Sequence, residues 1–184
     1  MIQCDLSVKE KQTKLHQRLL SVFSSGYRIE LDCNSESVLW LTAPGDLMNV
    51  VRQLKDDPDF GMNRLSDLTC YDNVDQVDGV ERFVYVAHLY STELHTRLRI
   101  KALVADGAEV PTLTGVWAMA NWLEREAFDM FGVRFSGHPD LRRIMMDERF
   151  VGYPLRKEYG LEDRQQFADS LQVRIVHGDE GKKI

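Results

Sequence analysis

Cysteine is scarce in this sequence, and its few thiols are too widely separated to form a metal or redox site. The 184 residues include Cys4, Cys33 and Cys70, and no two of them have C-x-x-C spacing. An iron–sulfur cluster normally takes about four thiolates, and a structural zinc ion takes about four ligands at short spacing. We therefore predict that this chain alone holds neither, and that its cysteines are reduced thiols in a cytosolic protein.

Long apolar runs are absent as well. No stretch approaches the roughly 18 apolar residues that a membrane-spanning helix needs. The first residues, MIQCDLSVKEKQ, lack the apolar centre of a signal peptide, so we expect no export. Any association with a membrane is therefore expected to be indirect, through a partner.

The sequence also lacks the patterns that bind nucleotides and nucleic acids. It has no G-x-G-x-x-G and no G-K-S/T sequence, so nothing predicts that this chain itself binds NAD, flavin or a nucleotide. Its formal net charge of -6 argues against a general nucleic-acid binder, because such proteins are normally basic. Hydrophobic residues make up 43% of the chain and charged residues 28%, as is typical of a globular domain.

Regular periodicity over residues 1–131 predicts a globular domain of helices and strands. Apolar residues recur at helical spacing in two segments. The first segment begins at a capping box at Ser7, and the second ends before Pro58. Period-two patterns and turn residues predict strands at 27–31, 37–41 and 65–71.

The clearest strands form a hairpin. Phe83–Leu89 and Leu94–Ala102 each place apolar residues at alternate positions, which is typical of a sheet with one buried face. The other face of the second strand carries a basic stripe, made of His95, Arg97, Arg99 and Lys101. We therefore predict an α+β fold with a mixed, mostly antiparallel sheet, helices packed on one side of it and an extended C-terminal arm.

Met119–Phe131 is predicted as a third helix that ends at Gly132. At about 100° per residue, it shows an apolar stripe with Glu126 in its middle. The stripe comprises Met119, Trp122, Leu123, Ala127 and Met130. A buried carboxylate needs a cation, and Arg142 or Arg143 is the expected partner of Glu126. The alternative is that Glu126 reaches solvent at the helix edge, and the wheel alone does not decide between the two.

Other residues of this helix also invite interpretation. Asn121 is a candidate N-cap with Glu124 at the third position after it. Arg125 and Asp129 are four residues apart and can form an ion pair. Phe128 projects almost opposite the apolar stripe, so it either needs a second burial surface or is an isolated exposed aromatic.

Residues 132–164 are predicted to form an extended, ordered arm. Glycines and prolines interrupt any regular pattern there, yet the segment is too rich in apolar residues to be disordered. Such an arm needs a surface to lie on, either on its own domain or on a partner. It carries two basic pairs, Arg142-Arg143 and Arg156-Lys157. The last residues, 165–184, are predicted to be a charged, partly flexible tail.

Groupings typical of a catalytic centre are not found in the sequence. The three carboxylates of the third helix point in different directions, and no Ser, Cys or His is placed as a nucleophile with a base. His88 and His95 can face each other across the hairpin, but two histidines without a third ligand are more typical of a strand surface than of a metal site. His138 is expected to be a turn residue that donates a hydrogen bond.

Three segments resemble a known protein family. They read EREAFDMFGV (124–133), FSGHPDLRRI (135–144) and GYPLRKEY (152–159). They closely resemble the 30 kDa subunit, also called the C-subunit, of bacterial NADH:quinone oxidoreductase, which is respiratory complex I. The resemblance extends more loosely through LSDLT (65–69), FVYVAHL (83–89) and VPTLT (110–114), and so covers most of the domain.

The resemblance implies a non-redox structural subunit in the hydrophilic arm of a proton-translocating enzyme. It implies that partner subunits bind flavin, iron–sulfur clusters and quinone, and that this chain binds no cofactor and has no catalytic centre of its own. The expected partners are the D-subunit, which helps to form the quinone site, and other hydrophilic-arm subunits, with no nucleic acid. The expected location is the cytoplasmic face of the bacterial inner membrane, where the chain is peripheral.

The same resemblance gives expected roles to particular residues. Those expected to fix the helix and the arm against the partner are Glu124, Arg125, Glu126, Phe128, Asp129, His138, Arg142, Arg143, Arg156 and Lys157. One alternative is an equivalent scaffold subunit of a related membrane-bound hydrogenase or of another quinone oxidoreductase. A less favoured alternative is a stand-alone hydrolase that uses the carboxylate cluster.

Overall fold

A mixed sheet of five strands, within the described residues, organises the fold. The computed structural model describes residues 2–23, 26–73 and 81–160 together with Glu162 and Gln165, and for residues 2–7 it gives the backbone only. In chain order the elements are helix α1 (Ile2–Val22), strands β1 (Arg28–Leu31) and β2 (Ser37–Leu41), helix α2 (Leu47–Asp56), strands β3 (Arg64–Asp72), β4 (Phe83–Ser91), β5 (Thr96–Val104) and β6 (Glu109–Pro111), helix α3 (Ala120–Phe131) and strand β7 (Arg134–Ser136).

The strands of the main sheet lie in the order β1-β2-β5-β4-β3. Neighbouring strands are antiparallel except for β2 and β5, which run parallel with Leu39 beside Ile100. Strands β6 and β7 form a separate two-stranded parallel sheet, which the sequence did not predict. The predicted α+β class with a mixed, mostly antiparallel sheet is confirmed.

One face of the sheet carries the core. Alternating residues of β4 and β5, such as Tyr85 and Ile100, are 0% exposed and belong to one buried cluster with Leu19 of α1 and Leu54 of α2. The period-two geometry of a strand places these side chains on the same face. Burying each large apolar side chain contributes about 1.5–3 kcal/mol. The helices therefore pack on this side of the sheet, as predicted.

The opposite face of the sheet carries three residues of the predicted basic stripe, Arg97, Arg99 and Lys101. The Lys101 ammonium lies 5.0 Å from the centre of the Trp40 ring. Arg99 forms ion pairs with Asp32 at 3.3 Å and with Glu36 at 3.6 Å. These cations are paired with neighbouring carboxylates or stacked on an aromatic ring, so the stripe is not a free basic surface.

Two local predictions were wrong. Helix α1 begins at Ile2, several residues before Ser7, because the capping-box pattern also fits the interior of a helix. His88 lies opposite Arg99 rather than His95, because His95 belongs to the hairpin turn, where its φ is 56°. The predicted tail beyond Gln165 lies outside the described residues.

Metal-holding clusters and membrane-spanning helices are both absent from the part of the chain that the structure describes. It contains no group of three or more His, Cys, Asp or Glu residues suited to holding a metal ion. None of its helices is both long enough and apolar enough to span a bilayer.

The buried hydroxyl of Tyr85 gives a test of the packing around the sheet. It has no hydrogen-bond partner among the described residues, and an unsatisfied buried polar group costs about 1–3 kcal/mol. Tyr85→Phe removes the hydroxyl and keeps the ring that packs near Phe135. We expect urea unfolding of the purified chain to show a gain of about 1 kcal/mol. A loss of stability would show that the hydroxyl has a partner, such as a buried water.

Candidate partner-docking site

The site is built around helix α3, whose end is fixed by Gly132. Gly132 has a φ of 79°, and its N–H donates to the carbonyl of Phe128 at 2.9 Å. A side chain at this position would lie 2.5 Å from the Tyr153 ring and 2.8 Å from the Arg156 guanidinium. Glycine is therefore required both for the left-handed turn and for the close passage of the arm. The predicted end of the helix at Gly132 is confirmed.

The arm is first attached to the domain at Asp129, whose side chain is 0% exposed. One carboxylate oxygen accepts backbone N–H groups from Ile144, Met145 and Met146 at 3.1, 2.7 and 2.9 Å. The other oxygen accepts a hydrogen bond from the Arg143 guanidinium at 2.9 Å. Burial acts to raise the pKa of Asp129, but the three N–H groups and Arg143 outweigh it and lower the pKa.

A second attachment lies at the C-terminal end of α3. The backbone N–H of Leu155 donates to the carbonyl of Met130 at 3.1 Å, and the Arg156 Nε donates to the carbonyl of Phe131 at 2.6 Å. The same guanidinium binds both carboxylate oxygens of Asp106, at 3.1 and 3.0 Å. Arg156 thus satisfies a carbonyl that the helix leaves open and places a cation at the negative end of the helix dipole.

A third attachment lies beyond Arg156, where the arm reaches the ends of β3 and β4. The backbone N–H of Lys157 donates to a carboxylate oxygen of Asp72 at 3.0 Å. The Arg82 guanidinium binds the same Asp72 oxygen at 3.0 Å. It also forms ion pairs with Asp106, at 3.1 Å, and with Glu158. The arm therefore lies on its own domain, which is one of the two surfaces that the sequence left open.

Arg125 is held by the arm rather than by its own helix. Its guanidinium donates to the carbonyls of Arg142 and Arg143 at 3.1 and 3.5 Å, and the residue is 7% exposed. The predicted pair with Asp129 does not form, because that carboxylate is bound by Arg143 and the arm backbone. The Arg142 side chain instead pairs with Asp140 at 2.9 Å, and both side chains are at least half exposed.

Of the two alternatives left open for Glu126, burial with Arg142 or Arg143 as its partner was wrong, and exposure to solvent is confirmed. Glu126 is exposed, while Glu124 is 0% exposed. Trp122 and Met119, which the wheel placed on the apolar stripe, are 60% and 53% exposed. The wheel assumed that one apolar face is buried, but α3 is covered on a second side by the polar backbone of the arm.

Two further predictions for α3 can be compared with the structure. The predicted N-cap at Asn121 was wrong, because the helix begins at Ala120 and has no side-chain cap. Phe128 is half-buried, and its ring packs edge-on against that of Tyr153, with the two ring centroids 6.4 Å apart. Its second burial surface is therefore the arm of the same chain, and the interpretation of Phe128 as an isolated exposed aromatic was wrong.

Glu124 fastens the segment that precedes α3. Its carboxylate accepts the Thr112 hydroxyl at 2.5 Å and the Leu113 N–H at 2.6 Å. Burial raises the pKa of Glu124 from 4.5 to about 7, against the lowering effect of these two hydrogen bonds. The helical pattern placed Glu126, not Glu124, in the middle of the apolar stripe, so it gave no signal that Glu124 is the buried glutamate.

His138 joins the start of the arm to the first turn of α3. Its Nδ1 accepts the Asp140 N–H at 3.0 Å, so Nε2 carries the hydrogen and donates to the Asn121 carbonyl at 3.2 Å. This is the turn role expected of His138. Its Nε2 lies 3.9 Å from the Glu124 carboxylate, which is too far for a direct hydrogen bond.

Comparison with known proteins matches this region to one family. The model of the family "Respiratory-chain NADH dehydrogenase, 30 Kd subunit" matches residues 40–165. The chain is 49% identical to the NADH-quinone oxidoreductase C-subunit 2 of Rhizobium etli over 118 residues, which are 64% of this chain and 62% of that protein. It is 40% identical to the C-subunit of Verminephrobacter eiseniae over 146 residues, 77% of this chain and 72% of that one. The chain thus spans less than two thirds of the Rhizobium protein.

Solved structures show the same fold. A trypsin-resistant fragment of Nqo5 has a TM-score of 0.59 and 31% identity, covering 70% of this chain and 99% of the fragment. A chain of the membrane-bound sulfane sulfur reductase, an archaeal respiratory membrane complex, has a TM-score of 0.66 and covers 83% of this chain and 87% of its own length. At 21% identity, this second likeness concerns the fold alone.

Asp129→Asn tests the first attachment of the arm. The change removes the negative charge that accepts hydrogen bonds from the three N–H groups and from Arg143. We therefore expect the free energy of unfolding to fall by about 3 kcal/mol. Hydrogen exchange should show lost protection at the amides of residues 144–146. The matched control is Asp140→Asn, which removes an exposed ion pair worth about 0–1 kcal/mol. Equal losses in the two variants would contradict the role of Asp129.

Glu124→Gln tests the buried carboxyl group through pH. Between about pH 4.5 and 7 the folded chain keeps a proton that the unfolded chain has released, so this group makes stability fall as pH rises through that window. Between pH 4.5 and 8, the free energy of unfolding of the natural chain should fall by about 3 kcal/mol relative to that of the variant. Urea unfolding across this range measures the difference, with the exposed Glu126→Gln as control. A difference independent of pH would contradict the assignment.

Proposed function

This chain belongs to the family of the 30 kDa subunit of respiratory-chain NADH dehydrogenase, and from that premise we propose that it is a non-redox structural subunit of NADH:quinone oxidoreductase. It stands in the hydrophilic arm of the proton-translocating complex and supports the D-subunit at the quinone site. Flavin, iron–sulfur clusters and quinone belong to partner subunits. The chain is peripheral, on the cytoplasmic face of the inner membrane, and meets the membrane only through the complex.

The observation that carries the proposal is the orientation of the arm. At Met145 and Leu155 the backbone N–H points inward to Asp129 and to the Met130 carbonyl, at 2.7 and 3.1 Å. The two side chains are 63% and 54% exposed, and Val151 between them is 77% exposed. At these positions polar groups hold the backbone on the domain while the apolar side chains face outward, although Leu141 and Met146 of the same arm pack against the core. Exposed apolar side chains on an ordered backbone are the arrangement expected of a surface that another protein covers.

The predicted residues divide into two roles in this proposal. Those that shape the surface from within are Glu124, Arg125, Phe128, Asp129, His138, Arg143 and Arg156. Those that lie at the surface, where they can contact the partner, are Glu126, Arg142 and Lys157. The arm, residues 132–164, is the segment proposed to dock on the D-subunit.

Co-purification from solubilised membranes tests the proposed function. The variant Met145→Asp with Leu155→Asp places two carboxylates on the outer face of the arm and leaves its inward hydrogen bonds unchanged. We expect recovery of the other subunits with this chain to fall at least about tenfold, a loss of roughly 1.4 kcal/mol or more in binding. Its thermal unfolding as a purified chain should remain close to that of the natural sequence.

The matched control is Leu20→Asp, because Leu20 is 47% exposed on α1 and lies outside the arm. This variant should co-purify with the complex as the natural chain does. The proposal fails if the arm variant retains its partner subunits, or if the natural chain co-purifies with no quinone-reductase subunit.

A further inference from the structure

A second exposed apolar patch lies at the start of α3, and the arm does not cover it. Met119 and Trp122 are three residues apart, so they are neighbours on one side of the helix, and they are 53% and 60% exposed. Met119 also lines an open cleft of about 510 Å³, whose other walls include Val116, Trp117 and Arg64. We call Met119, Trp122 and this cleft the Trp122 patch.

Two contacts within the domain support the Trp122 patch. The Arg125 guanidinium lies 5.1 Å from the centre of the Trp122 ring and is itself fixed by the carbonyls of Arg142 and Arg143. Trp117 donates its indole N–H to the Asn63 carbonyl at 3.1 Å. An aromatic side chain that is exposed yet fixed loses little conformational entropy when another protein covers it.

The rim of the cleft is basic. Lys55 and Arg64 line it, and neither forms an ion pair with a carboxylate of the described residues, although the chain as a whole has a net charge of -6. Lys55 donates to the Val116 carbonyl at 2.8 Å, so its ammonium is anchored at the cleft. Glu126 is exposed one turn beyond Trp122, at the far end of the patch. A complementary ligand therefore has its negative charge at the cleft and its apolar group over Trp122.

The adjoining strand favours contact through side chains rather than by addition of a strand. β3 is an edge strand of the main sheet, and its register shifts between Leu65 and Asp67, beside the cleft. A bulge of this kind interrupts the regular row of backbone groups that a partner strand would need. The occupant is therefore expected to insert side chains into the cleft.

We propose that the Trp122 patch binds an apolar segment, flanked by carboxylates, of another subunit in the same complex. This contact is separate from the one made by the arm, and it rests on the proposed function only in taking the partner to be a fellow subunit. An anionic membrane surface is less suited to the patch, because stable attraction to such a surface takes about four to eight clustered cations. A second copy of this chain would bring two basic rims together, which is unfavourable.

Photo-crosslinking in the intact complex identifies the occupant. A photoreactive phenylalanine derivative replaces Met119, and the crosslinked peptide is sequenced. We expect a peptide of another subunit that contains apolar residues next to Asp or Glu. A crosslink to a second copy of this chain, a crosslink to lipid, or no crosslink at all would overturn the proposal.

Substitutions then measure the contact. Trp122→Ala and Arg64→Glu should each weaken retention in the complex at least about tenfold, while Trp122→Phe should keep most of it. The purified chain should unfold as before in each case, because Trp122 and Arg64 are exposed. The Arg64→Glu variant should also make retention less sensitive to salt, since it removes an attractive charge. Retention of Trp122→Ala and Arg64→Glu at the natural level would contradict the proposal.

Two further comparisons separate the possible failures. If the arm variant Met145→Asp with Leu155→Asp releases the chain but Trp122→Ala does not, the proposed function stands and this inference fails. If neither variant releases the chain, both fail. Flotation with vesicles in which about one third of the lipid is phosphatidylserine tests the lipid alternative, and binding that depends on Trp122 would overturn the choice of a protein partner.

Discussion

The carboxylate of Asp129 is the interaction on which the path of the arm depends. Three consecutive N–H groups can point at one oxygen only if residues 144–146 curve around it. The curve also brings the Arg143 guanidinium to the other oxygen, from where it reaches the Gly152 carbonyl at 2.9 Å. Burying a carboxylate costs several kcal/mol unless donors surround it. Asp129 and the first part of the arm therefore stabilise each other in this position.

Glu124 and Asp129 show how the same chemical group acquires different properties on one helix. Both are 0% exposed, but Asp129 has four hydrogen-bond donors including a guanidinium, whereas Glu124 has two neutral ones. The pKa is accordingly lowered at Asp129 and raised at Glu124. One residue fastens the segment before α3 and the other fastens the arm after it. Helix α3 thus anchors both the segment before it and the arm after it.

The sequence predicted features set by local periodicity and missed those set by contacts between distant segments. The β4–β5 hairpin was predictable because alternation and a short turn determine it. The parallel pairing of β2 with β5 was not, because α2, β3 and β4 intervene. At α3 the wheel placed Trp122 and Glu126 on the apolar stripe, whereas the structure buries Glu124 and Asp129. A helical wheel weighs side chains by hydrophobicity, and it has no means of representing a neighbouring backbone whose N–H groups require carboxylates.

The arrangement of the arm has an energetic consequence for binding. An ordinary surface segment buries its apolar side chains and exposes polar backbone, whereas here Met145 and Leu155 direct backbone N–H groups inward and side chains outward. Fixing the backbone of one residue costs about 1–2 kcal/mol of conformational entropy. This entropy is lost when the arm folds onto the domain, before any partner binds. A partner that covers these side chains gains about 25 cal/mol per Å² of apolar area without ordering the arm. The hydrogen bonds that hold the arm backbone therefore favour association, because they order the exposed apolar side chains before a partner binds.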